Sequence, residues 1–104
     1  MAKGMQTIRK TETSAAMALA LDHFGRRWAL RVIWELRGEP LSFRALRTAC
    51  GDISPSVMQT RLDQLRDLGL IEQIPGLGYR HTAAGQQLFR MLAPLAEWAD
   101  KHLG

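Results

Sequence analysis

The pair Ser54-Pro55 dictates a helix start. A serine hydroxyl accepts from N–H groups of the first turn, and a proline at the first helical position gives up an N–H that has no helical partner there. The segment that follows carries Met58, Leu62 and Leu65 on one side and closes at Leu68-Gly69, the spacing of a helix with one buried face. Upstream, Ser42 opens a shorter helix over Phe43 to Cys50, with Phe43, Leu46 and Cys50 inward, and Cys50-Gly51-Asp52-Ile53 makes a tight turn. Downstream, Leu70 to Ile74 reads as a strand, Pro75-Gly76-Leu77-Gly78 as a turn, and Tyr79-Arg80-His81 as the returning strand of a hairpin.

The flanking segments are helical. Ser14 caps an Ala/Leu-rich stretch to Phe24, which Gly25 is expected to end as a left-handed cap. Arg27 to Arg37 forms a second helix with Trp28, Val32, Ile33 and Leu36 on one side, stopped by Gly38 and Pro40. Thr82 caps a last helix, Ala83 to His102, which Pro94 should kink by removing a donor. The fold predicted is mainly α with a small β-hairpin: a short helix, a turn, a polar-faced helix and then a hairpin, the order of a winged helix-turn-helix. With 104 residues, 46% of them hydrophobic, one core is what the chain can bury. The expected organisation is a flexible tail over 1–13 and a single domain over 14–104, with the helix-turn-helix at 42–68, the wing at 70–82 and a dimerisation helix at 83–102.

Composition removes several alternatives. A single cysteine forms no internal disulfide and suits a reducing cytoplasm, where the protein is expected. The longest uncharged run, Thr13 to Leu21, is too short for a bilayer, and no apolar stretch follows the basic residues near the start, so neither a membrane nor a secretory route is predicted. His23, His81, His102 and Cys50 lack metal-ligand spacing, and Gly76-Leu77-Gly78 lacks the length and the Lys-Ser/Thr of a phosphate cradle, so no metal or cofactor is expected. Nothing sets a nucleophile beside a base and an oriented acid, so no enzyme is expected. Cys50 can be read as a redox switch, with Arg47 lowering its pKa, or as a small packing residue. His81 can be pH-sensitive or a bonded core histidine. Trp28, Trp34 and Trp98 can line an effector pocket or simply pack, and any small-molecule effector stays unidentified.

Charge points toward an anionic partner. Residues 26–47 hold six arginines (Arg26, Arg27, Arg31, Arg37, Arg44 and Arg47) against Glu35 and Glu39, which accounts for a surplus equal to the whole chain's net +4. Guanidinium forks pair with phosphate oxygens; the plainer reading is a solvated face. With Met58, Leu62 and Leu65 inward, Ser56, Thr60, Asp63 and Asp67 point away from the core, flanked by Gln59, Val57 and Gln64, and Arg61 lies at the boundary. Carboxylates repel phosphate, so contact is expected along the first two turns only. Leu88, Phe89, Leu92, Leu95, Trp98 and Leu103 form an apolar set broader than one stripe on the last helix, which predicts a second subunit there.

Gly25-Arg26-Arg27-Trp28, Phe43-Arg44-Ala45-Leu46-Arg47, Ile53 through Leu62, Leu68-Gly69-Leu70-Ile71 and Tyr79-Arg80-His81-Thr82-Ala83-Ala84-Gly85 resemble, in order and spacing, the HxlR-type regulators, MarR-like winged helix-turn-helix transcription factors of bacteria. The resemblance covers residues 15–100. It implies a homodimer, paired through the N-terminal and last helices (here Met17, Leu21, Leu88, Leu92, Leu95 and Trp98), on a near-palindromic double-stranded operator. It places Ser56, Gln59, Thr60 and Arg61 on the recognition helix and Arg80 in the wing. The whole expected DNA set is Arg44, Arg47, Arg61 and Arg80 on phosphates, Ser56, Gln59 and Thr60 toward base edges, with Ser54 and Gln64 beside them. Repression is the expected outcome; a protein–protein adaptor that has lost DNA binding is the alternative. Ala15 stands where many members carry a sensing cysteine, the wing is short, and His81 stands where the family usually has a buried leucine.

Overall fold

A computed structural model describes residues 12–104; residues 1–11 of the expected tail lie outside the described residues. Among the described residues five helices and one hairpin follow in the expected order: α1 (Ala15–Phe24), α2 (Ala29–Glu35), α3 (Phe43–Ala49), α4 (Pro55–Asp67), β1 (Ile71–Ile74), β2 (Gly78–His81) and α5 (Ala83–His102). Four helices open on a hydroxyl that accepts from the N–H three residues on: Ser14 from Met17, Ser42 from Ala45, Ser54 from Val57 and Thr82 from Gly85.

The centre of the fold is α2. Its Val32 and Ile33 are fully buried, and it packs against each of the other four helices. Leu46 of α3, Met58, Leu62 and Leu65 of α4, Ile71 of β1 and Tyr79 of β2 close one cluster around it, with Leu36, Cys50 and Ile53. The strands pair antiparallel with Glu72 opposite Arg80, and Leu41 adds a further rung by exchanging both backbone bonds with Tyr79. Gly78 is obligatory at this rung: its φ is +124°, and a Cβ there would run into the Leu41 carbonyl.

Two local expectations are corrected. Gly25 is right-handed (φ −76°), and the residue in the left-handed region is Trp28 (φ +79°). Gly25 sits so close to the Leu21 carbonyl oxygen that a Cβ would stand 2.7 Å from it, so the glycine answers to crowding rather than handedness. The chain turns at Trp28 instead, and α2 accordingly spans only Ala29–Glu35, shorter at both ends than the expected 27–37. Pro94 lies inside α5 without ending it.

Among the described residues His81 is the single buried charged or polar side chain, and it is bonded. Its Nε2 lies 2.7 Å from the Ile33 carbonyl; a carbonyl only accepts, so Nε2 carries the proton. Cys50 is buried, and desolvation pushes its thiol pKa up, over a smaller opposing pull from Arg31 and with a further push from Glu35. That corrects the redox reading: burial outweighs the nearby cation, and the cation is Arg31 rather than Arg47. At neutral pH the thiol is protonated in both states and its burial is not penalised; as pH climbs past the thiol's ordinary value the unfolded chain ionises first and the folded state loses stability. Native protein at pH 8 should therefore react with a disulfide reagent much more slowly than urea-unfolded protein; equal rates would contradict the burial of Cys50.

Candidate nucleic-acid interface

Between α3 and α4 the chain reverses through two left-handed residues, Gly51 (φ +80°) and Asp52 (φ +59°). Asp52 N–H donates to the Arg47 carbonyl at 2.8 Å, and Arg47 Nε donates across the turn to the Ile53 carbonyl at 2.6 Å. Arg47 thus fixes the angle at which α4 leaves α3. Ser54 then caps, Pro55 occupies the first turn, and α4 is held from behind by Met58, Leu62 and Leu65.

The outer surface of α4 follows from that anchoring. Ser56, Val57, Gln59 and Thr60 are exposed along its first half, and Asp63, Arg66 and Asp67 along its second. Gln59 Nε2 donates to Asp63 Oδ1 at 2.9 Å, and Thr60 Oγ1 donates to the Ser56 carbonyl at 3.0 Å. These bonds orient the amide and the methyl group without burying them. Ser54 and Ser56 hydroxyls lie 3.4 Å apart at the helix mouth, where unpaired N–H groups and the helix dipole favour an anion. Gln64 is half-buried and accepts from Arg61.

The arginines divide. Arg44 is exposed on α3 and makes no side-chain bond among the described residues. Arg80 is exposed on the wing and pairs with Glu72 across the hairpin at 2.7 Å. Arg61 differs from the sequence expectation: Nε donates to the Arg27 carbonyl at 2.6 Å and Nη1 to Gln64 Oε1 at 3.2 Å. Its first task is to tie α4 to the α1–α2 turn, and it steadies the backbone beside left-handed Trp28, over whose ring Arg27 also lies at 5.0 Å. Nor is the 26–47 surplus one basic face. Arg31 bonds Glu35 and the Ala49 carbonyl, Arg37 bonds the Trp34 carbonyl and covers the Trp34 ring, and Arg26 reaches His23. Three of the six, Arg31, Arg37 and Arg47, donate to carbonyls at helix ends and turns. Sequence periodicity could not show this, because Arg61 reaches 34 positions along the chain.

The apolar residues expected between subunits also divide. Met17 and Leu21 are half or more exposed on α1, a helix that buries no residue. Leu95 and Trp98 are half exposed on α5. Leu88 and Leu92 instead lean onto the chain's own core, half-buried, because their turns of α5 face α2. Leu103 at the end of α5 is exposed as well, and Leu19 and Met91 are exposed apolar residues outside the expected set. Between α2 and α5 runs an almost wholly apolar groove of about 340 Å³, floored by Leu30, Trp34, Leu92 and Ala96. Among the described residues no group of three His, Cys, Asp or Glu gathers as a metal site, and no helix is long and apolar enough to cross a membrane.

Comparison with known proteins agrees with this geometry. A family model described as HxlR-like helix-turn-helix matches residues 23–104. An uncharacterized HTH-type transcriptional regulator of Mycobacterium tuberculosis is 32% identical over 90 residues, covering 81% of this chain and 56% of that protein. The uncharacterized HTH-type regulator YtfH of Escherichia coli is 28% identical over 80% of this chain and 71% of its own. The chain thus spans little more than half the length of the first of these relatives. Among solved structures, quinone-bound YodB of B. subtilis superposes with a TM-score of 0.76 at 25% identity, covering 86% of this chain and 99% of that one. A protein of Thermoplasma volcanium described as a possible HxlR family transcriptional factor does so with 0.71 at 25%, over 77% of each.

Proposed function

Because the chain belongs to the HxlR-like helix-turn-helix family, we propose that it is a transcriptional regulator that binds double-stranded DNA as a homodimer on a near-palindromic operator, acting as a repressor in the cytoplasm. The observation that carries this reading is the first half of α4: capped by Ser54, clamped from behind, and showing Ser56, Gln59 and Thr60 outward. Two hydroxyls and an amide at that spacing suit base edges in a major groove, and the open N–H groups of the first turn suit a phosphate.

In this reading Ser56, Gln59 and Thr60 sample base edges, while Arg44 and Arg80 take phosphates. Arg47 and Arg61 hold the angle of α4 and offer only the guanidinium nitrogens that their carbonyl partners leave over; Ser54 and Gln64 hold the cap and Arg61. Asp63 and Asp67 tilt away from the backbone. Pairing of two chains is supported by α1, which carries Met17, Leu19 and Leu21 yet buries nothing, and by the half-exposed Leu95 and Trp98. The role of Leu88 and Leu92 is to seat α5 on its own subunit. A protein–protein adaptor, which the modest net charge of +4 and the acidic end of α4 would suit, has less support.

Selection of bound fragments from genomic DNA identifies the operator, and its affinity as a function of salt tests the mode of binding. A dimer that touches about six phosphates should show log K falling against log salt with a slope near −5, and Arg44→Ala should make that slope shallower by roughly 1 to 2. Binding that ignores salt and does not distinguish operator from random DNA contradicts the proposal, as does a protein that sediments only as a monomer.

A further inference from the structure

The hairpin between α4 and α5 ends in a tip that carries no charge. Ile74, Pro75, Gly76 and Leu77 form one tight turn, with Pro75 second, Gly76 third at φ +79°, and the Leu77 N–H donating to the Ile74 carbonyl at 3.0 Å, the arrangement of a type II turn. Proline and glycine meet everything that turn asks of its residues, and nothing in it asks for leucine. Leu77 nonetheless stands there, 61% exposed, with Pro75 exposed beside it. The tip is also held in place: the Gly78 backbone lies against the Leu41–Ser42 peptide, and Leu41 exchanges both backbone bonds with Tyr79. Ser42 caps α3, and Arg44, exposed and without a side-chain bond among the described residues, follows in the first turn of that helix. Leu77 and Arg44 therefore share one edge of the molecule.

Apart from the buried His81, the charged residues between Leu70 and Thr82 are Glu72 and Arg80, and they pair at 2.7 Å. The hairpin thus nets no charge and offers phosphates one guanidinium that a carboxylate already holds. We propose that the wing meets DNA by its tip: Leu77 enters the minor groove as an apolar wedge and opens a base step there, which makes it a specificity-determining residue. The inference rests on the reading of α4 as the helix that faces DNA. An inserted leucine partly unstacks a base step and kinks the duplex. The cost depends on sequence, because pyrimidine–purine steps such as TA open most easily, so the wedge reads deformability rather than a hydrogen-bond pattern. A side chain carried on a fixed turn gives up little freedom on insertion. Arg44, on the same edge, supplies the phosphate contact that a neutral tip lacks. A hydrophobic pocket on another protein would suit Leu77 but leave Arg44 without an anion, so DNA fits the pair better.

The test uses the full chain and a duplex carrying the operator recovered by genomic selection, with 2-aminopurine replacing single adenines in its flanks. The parent should raise 2-aminopurine fluorescence at one flanking step per half-site, the signature of unstacking. Leu77→Ala should abolish that rise and weaken binding about tenfold, with an unchanged salt slope and Tm, because the side chain touches neither phosphate nor core. Leu77→Met should keep both the rise and the affinity. Replacing the step that opens by a stiffer A-tract step should weaken the parent and leave Leu77→Ala as it was. The proposal is overturned by Leu77→Ala binding like the parent, by a fluorescence rise that survives it, or by a shallower salt slope. It is equally overturned if Leu77→Ala separates paired chains, which would assign the tip to a protein contact. A parent that binds the operator without disturbing the flanks overturns the wedge alone; a parent that prefers no DNA sequence takes the reading of α4 with it.

Discussion

Replacing Gly85 with alanine is expected to destabilise the protein, although glycine to alanine inside a helix ordinarily stabilises by about 0.5–1 kcal/mol. Gly85 lies in the first turn of α5 and is buried. A Cβ there would overlap the carbonyl oxygen of Leu70 and stand 3.3 Å from the His81 Cβ. The obstacle is backbone, which no rotamer change can clear. The same Leu70 carbonyl accepts from Thr82 N–H at 3.1 Å, and Thr82 Oγ1 bonds the Gly69 carbonyl, so moving α5 away would break the bonds that seat it on the wing. Overpacking of this kind costs about 1–3 kcal/mol, and an unyielding neighbour puts Gly85→Ala at the upper end. For a chain of this size a loss of about 3 kcal/mol lowers Tm by roughly 12–20 °C. A melting temperature equal to or above that of the parent would show that α5 does not approach Leu70 this closely.

Leu62→Ala should cost more. Leu62 is fully buried at the middle of the inner face of α4, between Met58 and Leu65. Truncation removes its transfer energy and leaves a cavity within the core cluster it shares with Val32, Ile33 and Ile71; such changes cost about 2–5 kcal/mol. Native domains have only about 5–15 kcal/mol in hand, so urea or thermal denaturation should register a large fall in stability. Leu62→Met, which keeps the volume, should lose less than about 1.5 kcal/mol. A loss below about 1 kcal/mol for alanine would mean that α4 is not pinned from behind, and the orientation assigned to Ser56, Gln59 and Thr60 would go with it.

The elements were legible where one local rule decides them. Ser54-Pro55 and Thr82 fix the starts of α4 and α5 to the residue, because a cap and a proline act within a single turn. The spacing of Met58, Leu62 and Leu65 gave the buried face of α4, and hence the outward residues of the candidate interface. Trp28 was not legible: no local propensity favours a tryptophan in the left-handed region, and what holds it is the distant Arg61. The arginines misled for the same reason, since composition counts charges without revealing that Arg31, Arg37, Arg47 and Arg61 each serve a carbonyl. Leu88 and Leu92 followed the apolar pattern of α5, but that pattern does not distinguish the part of a long helix that touches its own subunit from the part that extends beyond it.

The bond from Arg61 to the Arg27 carbonyl has a mechanical corollary. It rivets the middle of α4 to the corner from which α1 departs, so the two cannot be reoriented separately without giving up a short, charge-assisted contact. A change in the heading of α1 must therefore either carry α4 with it or break this bond, which adds to the coupling that α2 already provides by packing against both helices.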